Sequence, residues 1–154
     1  MKPLSQLKRD FAAKSREMEQ LIKDAPRIVG LESVKVIREN FDNQGFEGSP
    51  WKDRSAKTNE MYDKRIGVKG SVYKSSNPIL MQTRNLYSSI KFKALGNSVF
   101  IGVNLNLVPY AKVINEGSGN QPKRQYMGIT NKLKTRINKE IQRRRLTILN
   151  KYKI

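Results

Sequence analysis

Apolar residues recur at helical spacing near both ends of the chain and alternate in its middle. Leu4, Leu7, Phe11, Met18 and Leu21 stand on heptad spacing, with Lys14 interrupting the stripe. That pattern predicts an amphipathic helix, with too few turns for a coiled coil. Asp24-Ala25-Pro26 then predicts a helix restart, a capping Asp followed by Pro in the first turn. Leu31, Val34, Ile37 and Phe41 form one stripe on a second helix. It is expected to end near Asn43-Gln44-Gly45, with Gly45 at the C′ position.

Residues 45–77 lose this periodicity. Glycines at 45, 48, 67 and 70, Pro50 and several Ser, Lys and Asn residues predict a long loop, and loops of that length in small domains tend to be functional or mobile. Trp51 lies within it and reads chiefly as an anchor on the core. Pro78-Ile79-Leu80-Met81-Gln82 has the composition of a short strand.

A hairpin is the clearest local signal. Ile90 to Leu95 and Ser98 to Val103 flank Gly96-Asn97, a two-residue turn with glycine first, which suits type II′. Closing the chain there pairs Ala94 with Val99, Phe92 with Ile101 and Ile90 with Val103, all apolar and on one face. A slip of one residue would destroy that agreement. Pro109 and Gly117 bracket a short helix, and Ser118 to Gln121 a turn. Ile129, Leu133, Ile137 and Ile141 predict a final helix over 129–150.

Charge changes this picture most. The chain has 154 residues, 31 Lys+Arg against 13 Asp+Glu, and a net charge of +18. Residues 78–154 hold 15 basic and 2 acidic residues, so the excess belongs to the second half. From Lys123 to Lys153 there are 11 basic residues against Glu140 alone. Such asymmetry suggests a polyanionic partner or an acidic protein surface, with a solvated helix face as the plain alternative. The candidate contacts are Lys132, Lys134, Arg136, Lys139, Arg143, Arg144 and Arg145. Tyr110, Tyr126 and Tyr152 are interspersed with basic residues, as in single-strand binders that stack bases on aromatics.

The length suits one domain over 1–154, and Leu, Ile, Val and Phe are frequent enough for a folded core. The chain has no Cys and no His. It therefore lacks thiol nucleophiles, thiolate metal sites, Ser-His-Asp catalysis and His-dependent zinc hydrolysis. Asp42, Glu47 and Asp53 lie near one another without a metal-binding spacing, and Gly67-Val68-Lys69-Gly70-Ser71 lacks the P-loop spacing. No catalytic, metal or cofactor-binding residue is expected. No apolar run is long enough for a membrane helix, and the first residues lack the apolar region of a signal peptide.

The order of these segments resembles the virion morphogenesis, or tail-completion, proteins of Mu-like phages and related neck proteins. The resemblance covers about residues 31–145. It rests on the helix ending in Phe41 and on Phe46-Glu47-Gly48-Ser49-Pro50-Trp51. It continues with Leu80-Met81-Gln82-Thr83-Arg84-Asn85-Leu86-Tyr87-Ser88-Ser89-Ile90 and the hairpin ending Ile101-Gly102. Tyr110-Ala111 opening a helix closed by Gly117, and Pro122-Lys123-Arg124-Gln125-Tyr126-Met127-Gly128, complete it. Two positions depart: Arg84 stands where the family usually has Gly, and Ile114-Asn115 where it often has a polar His or Gln.

The resemblance implies an α+β fold, with N-terminal helices and a C-terminal helix packed on a small antiparallel sheet containing the 90–103 hairpin. It implies a non-enzymatic, homo-oligomeric ring in the virion, made in the host cytoplasm, that joins head and tail. Neck, portal-side or tail proteins would be its partners, with transient DNA contact in the lumen and no membrane. The 45–77 loop, with Phe46, Pro50, Trp51, Tyr62 and Tyr73, would then reach neighbouring subunits. A small basic nucleic-acid-binding protein without sequence specificity is the alternative.

Overall fold

The structure, a computed structural model, describes residues 2–66, 68 and 74–152. It has nine elements in the described chain: α1 (Leu4–Asp42), β1 (Gly45–Phe46), β2 (Ser49–Pro50), α2 (Ala56–Asp63), α3 (Asn85–Ser89), β3 (Lys91–Leu95), β4 (Ser98–Gly102), α4 (Ala111–Glu116) and α5 (Asn131–Lys151). Long helices at both ends and two small antiparallel pairs, β1 with β2 and β3 with β4, make an α+β fold.

The expected restart at Pro26 is absent, because α1 runs straight through it. An interior proline removes the N–H that the carbonyl of Ile22 would accept. Ile22 is 70% exposed, so water can serve that carbonyl. Pro26, Ile28 and Gly30 are buried, so the helix continues through packed residues. Asp24 does not cap a new helix; it accepts from Gln20 Nε2 one turn back, at 3.2 Å. The expected stripe also shifts: Leu31 is 40% exposed, while Ser33, Val36, Ile37, Asn40 and Phe41 are buried.

The chain groups into two compact units. The first takes α1 up to Ser33, the hairpin tip Phe92–Phe100, and the segment from Asn131 on. Within it α1 and α5 run antiparallel. Arg136 pairs with Glu32 at 3.3 Å, and Lys151 pairs with Glu17, which also accepts from the Tyr152 hydroxyl. These bridges lie 15 residues apart on each helix, about 22 Å at the helical rise, so the two helices hold one register. Phe92 of β3 seats its ring on Gly30: a Cβ there would meet Phe92 Cδ2 at 2.2 Å. The hairpin turns at Gly96-Asn97 as expected, and Gly96 has φ +54°. Phe92 and Val99 are half-buried and Phe100 is exposed, in keeping with the expected faces, although Ala94 is also exposed.

The second unit holds Val34–Lys91 and Ile101–Thr130. Its core is Ile37, Phe41, Trp51, Leu86, Ile90, Val108, Ala111 and Tyr126. Phe41 is the hub, with Trp51 and Tyr87 edge-on at 5.3 and 5.7 Å and Tyr126 tilted at 5.4 Å. Edge-to-face pairs of this kind add directional preference to burial.

Three expectations are corrected in this unit. Region 45–77 is not loop throughout: β1 and β2 form a hairpin about Glu47-Gly48, and α2 follows, with Ser55 Oγ accepting from Thr58 N at 3.2 Å. Gly45 is not a C′ residue. Gln44 holds the left-handed position, φ 51°, and Gly45 pairs with Pro50, where a Cβ would lie 2.6 Å from the Ser49 carbonyl. Residues 78–82 form a turn rather than a strand, with Leu80 at φ 63°. The Gln44 side-chain amide serves both the N–H and the C=O of Ile79, as a neighbouring strand would. The 111–116 helix is as expected, closed by Gly117 N–H on the Val113 carbonyl at 2.7 Å.

Gly30 supplies a test of sign. At an open helix position, replacing glycine stabilises by up to about 1 kcal/mol. Against the Phe92 ring, Gly30→Val is expected to destabilise by about 1–3 kcal/mol through overpacking. Urea unfolding measures it, and Phe92→Ala in the same chain should recover most of the loss.

Candidate functional site

The second unit concentrates its chemistry where two irregular segments, Trp51–Ser55 and Pro122–Gly128, lie side by side. Neither has a strand partner, so beside the Trp51 N–H on the Gln44 carbonyl and the Arg124 N–H on the Ile114 carbonyl, side chains satisfy their backbone groups. Trp51 Nε1 donates to the Gln125 carbonyl at 2.7 Å. Arg124 returns the connection, donating from Nε to the Lys52 carbonyl at 2.9 Å and from Nη2 to the Asp53 carbonyl at 3.1 Å. Asn115 Oδ1 accepts the N–H groups of Tyr126 and Met127, both at 3.1 Å. Asn40 Nδ2 donates to the Tyr126 carbonyl at 3.0 Å, and the Tyr126 hydroxyl donates to the Ala111 carbonyl at 3.3 Å. Burial pushes that phenol up to about 12, so it stays neutral.

Beside this brace lies a recess of about 1150 Å³. Trp51, Ile79 and Ile114 supply apolar wall; Lys52, Arg54 and Arg124 supply positive charge. Arg54 is fixed by Asn59 Oδ1 at 3.1 Å and by the carbonyls of Ser75 and Asn77, and it stands 5.5 Å from the Tyr62 ring centre. Arg124 is only 7% exposed. Burial, then the neighbouring Arg54 charge, draw its pKa below the usual guanidinium value.

The expected loop contacts scatter. Trp51 is 6% exposed and belongs to the core, as its anchor reading holds, with one edge lining the recess. Phe46 is half-buried, its ring within 2.8 Å of where a Gly128 Cβ would lie. Pro50 is exposed and Tyr62 half-buried; Tyr73 lies outside the described residues, as do Lys153 and all of the 67–71 glycine segment but Val68. Tyr126, expected among stacking aromatics, is 2% exposed and is not a platform. Among the described residues no acidic cluster is arranged to hold a metal ion. No helix there is long and apolar enough to cross a membrane.

In the first unit α5 sorts the basic candidates. Arg136 is tied to Glu32, itself 8% exposed, and belongs to the helix pair. Arg143 and Arg144 share Glu140, with Nε donors at 2.9 and 2.8 Å. Lys132, Lys134, Lys139, Arg143 and Arg145 all reach solvent. At 100° per residue Lys132, Lys139 and Arg143 line one flank of the exposed face and Lys134 and Arg145 the other. Thr135, Asn138 and Gln142 lie between them.

Arg54, Arg124 and Asn115 were not among the expected site residues. The Pro-x-Arg segment contained Arg124, but a buried arginine satisfied by carbonyls leaves no periodic or paired-charge signal. Comparison with protein-family profiles, curated proteins and solved structures gives no match for this chain.

Two measurements check this account. Asn115→Leu leaves the part-buried N–H groups of Tyr126 and Met127 without their acceptor and is expected to destabilise by about 1–3 kcal/mol. Asn115→Asp keeps an acceptor and should lose less; urea unfolding followed by Trp51 fluorescence compares them. Arg143 and then Arg144 hold the Glu140 carboxyl down at about 2. Its folded value is depressed, so its contribution is full above the unfolded value of about 4.3 and fades as pH falls towards about 2. The melting-temperature difference between the native chain and Glu140→Gln should shrink across that window, and added salt should also reduce it.

Proposed function

We propose that this chain is a structural subunit of a phage head–tail junction, a neck or tail-completion protein that assembles as a ring joining head and tail. The observation that carries the reading is convergence. Residues from the segments that bear the family resemblance, including Phe41, Trp51, Leu86, Ile90, Ala111 and Tyr126, meet in one core. Segments alike only by chance need not share a core.

The two departures from the family pattern also support it. Arg84 has φ 57° and ψ 7°, the left-handed conformation that glycine takes without steric cost. Asn115 supplies the polar group expected near that position, and two backbone N–H groups depend on it. A ring built from one kind of chain needs two different complementary surfaces on each subunit. The exposed apolar side chains Leu4, Phe11 and Ile22 of α1, and Leu95 and Phe100 at the hairpin tip, are available for such contacts.

On this reading the basic flanks of α5 meet DNA in transit or an acidic neighbouring ring, through charge alone and without base recognition. The same flanks favour the second reading, a small non-sequence-specific nucleic-acid-binding protein. The protein is proposed to act without catalysis, in the virion.

Light scattering and electron microscopy of the full chain, alone and with portal-side and tail proteins, test the first reading. A closed ring or incorporation into particles is expected. A strict monomer with every candidate partner would sink it. In a salt titration of DNA binding, replacing Lys139, Arg143 and Arg145 by Ala should leave the fold intact. The log–log slope should fall by about 0.9 for each phosphate the variant no longer neutralises. Tight, steeply salt-dependent binding by the monomer would favour the second reading.

A further inference from the structure

We propose that the recess of the second unit is a receptor for an acidic peptide segment of a partner protein, with Arg124 and Arg54 recognising its carboxylate. The inference concerns residues separate from the α5 flanks and does not depend on ring formation.

The charge lining the recess is mainly positive. Lys52, Arg54 and Arg124 line it, and Asp53 is the one carboxylate among the described lining residues. Neither guanidinium has a carboxylate hydrogen-bond partner among the described residues. Arg54 is held by an amide and by carbonyls, Arg124 by carbonyls alone. Carbonyl dipoles solvate a guanidinium but leave its charge in place. Arg124 therefore combines a full positive charge with burial of more than nine-tenths of its surface. Burial, and the like charge of Arg54, both disfavour its charged form. An incoming carboxylate would relieve both at once.

Geometry then favours recognition over simple attraction. Two donors of Arg124 are committed to Lys52 and Asp53, which fixes the guanidinium plane. Nη1 has no acceptor among the described residues. A preorganised planar donor loses little freedom on binding a carboxylate.

The kind of ligand follows from size and lining. About 1150 Å³ is at or beyond the upper end of small-molecule pockets. Trp51, Ile79, Leu80 and Ile114 offer apolar surface for neighbouring side chains of an extended segment. A nucleic-acid duplex keeps its phosphates on a broad convex surface, and Arg124 is too deeply buried to meet them. An extended peptide can insert one Asp or Glu side chain, or a terminal carboxylate, while its flanks rest on the wall.

Trp51 is the only tryptophan and lines the recess, so its fluorescence reports occupancy. The full chain at physiological salt is titrated with a hexapeptide alternating Glu and Leu, with its Gln–Leu counterpart, and with inorganic phosphate. Saturable change with the acidic peptide is expected, with about tenfold or greater weakening for the Gln peptide and for phosphate. Arg124→Lys should weaken the acidic peptide similarly, since the fork is removed and the charge kept. Because Arg124 also braces the fold, Lys52→Glu serves as the second variant: exposed, lining the recess and reversed in sign, it should weaken binding with unchanged circular dichroism. Arg143→Ala with Arg145→Ala should bind as the native chain does. Equal affinity for the Gln peptide or for phosphate, no saturable change, or weakening in the α5 variant with Lys52→Glu unaffected would each overturn the proposal.

Discussion

The second unit depends on how its irregular backbone is satisfied. Segments near 43–55 and 118–130 bring Gly45, Trp51, Arg124 and Tyr126 into the interior with little sheet to pair with, and an unpaired buried N–H or C=O is strongly unfavourable. The side chains of Trp51, Arg124, Asn115, Asn40 and Gln44 do the pairing that strands would otherwise do. Each is long or planar enough to reach a carbonyl or amide far away in sequence. Their cooperation explains why Phe41 can gather three aromatic rings around itself although they come from separate stretches of chain.

This dependence also explains what the sequence made legible. Periodicity sees elements whose hydrogen bonds are local. The hairpin turn at Gly96-Asn97, the 111–116 helix and the long terminal helices were readable for that reason. Residues 78–82 looked like a strand because their side chains are those of a strand, but the backbone partner of Ile79 is the Gln44 amide. Pro26 looked like a boundary because local rules weigh only its missing N–H. Burial of Pro26, Ile28 and Gly30 outweighs that deficit, and no local rule contains it. Gly45 is needed for its lack of a Cβ and not for freedom in φ. The basic candidates divide in the same way. Composition cannot tell Arg136, held by a buried carboxylate, from Lys139, which reaches solvent.

The positive charge therefore has three physical settings. Some is neutralised in ion pairs along the antiparallel α1–α5 pair and at Glu140. Some stands exposed on the flanks of α5, where salt screens it and only a dense array of opposite charge would be held. The last part is buried with Arg124, where screening is weak. The exposed flanks suit diffuse, reversible association with a polyanion. The buried guanidinium suits selection of one carboxylate in one orientation. A protein proposed to join two assemblies while DNA moves by would gain from keeping those modes of binding apart.

That separation bears on how assembly could be specific at all. Subunits carrying +18 repel one another, so ring closure by charge alone is unfavourable. In a ring of the proposed kind, closure would have to come from apolar packing or from insertion of an acidic group into a positive site. Exposed Leu4, Phe11 and Ile22 offer the first, and they are spread along a helix that presents little directional chemistry. The recess offers the second, with a fixed donor plane and a defined wall. In the proposed assembly apolar packing would set the strength of association and the carboxylate its register, because a misplaced apolar chain weakens binding gradually while a misplaced carboxylate leaves a buried charge unanswered.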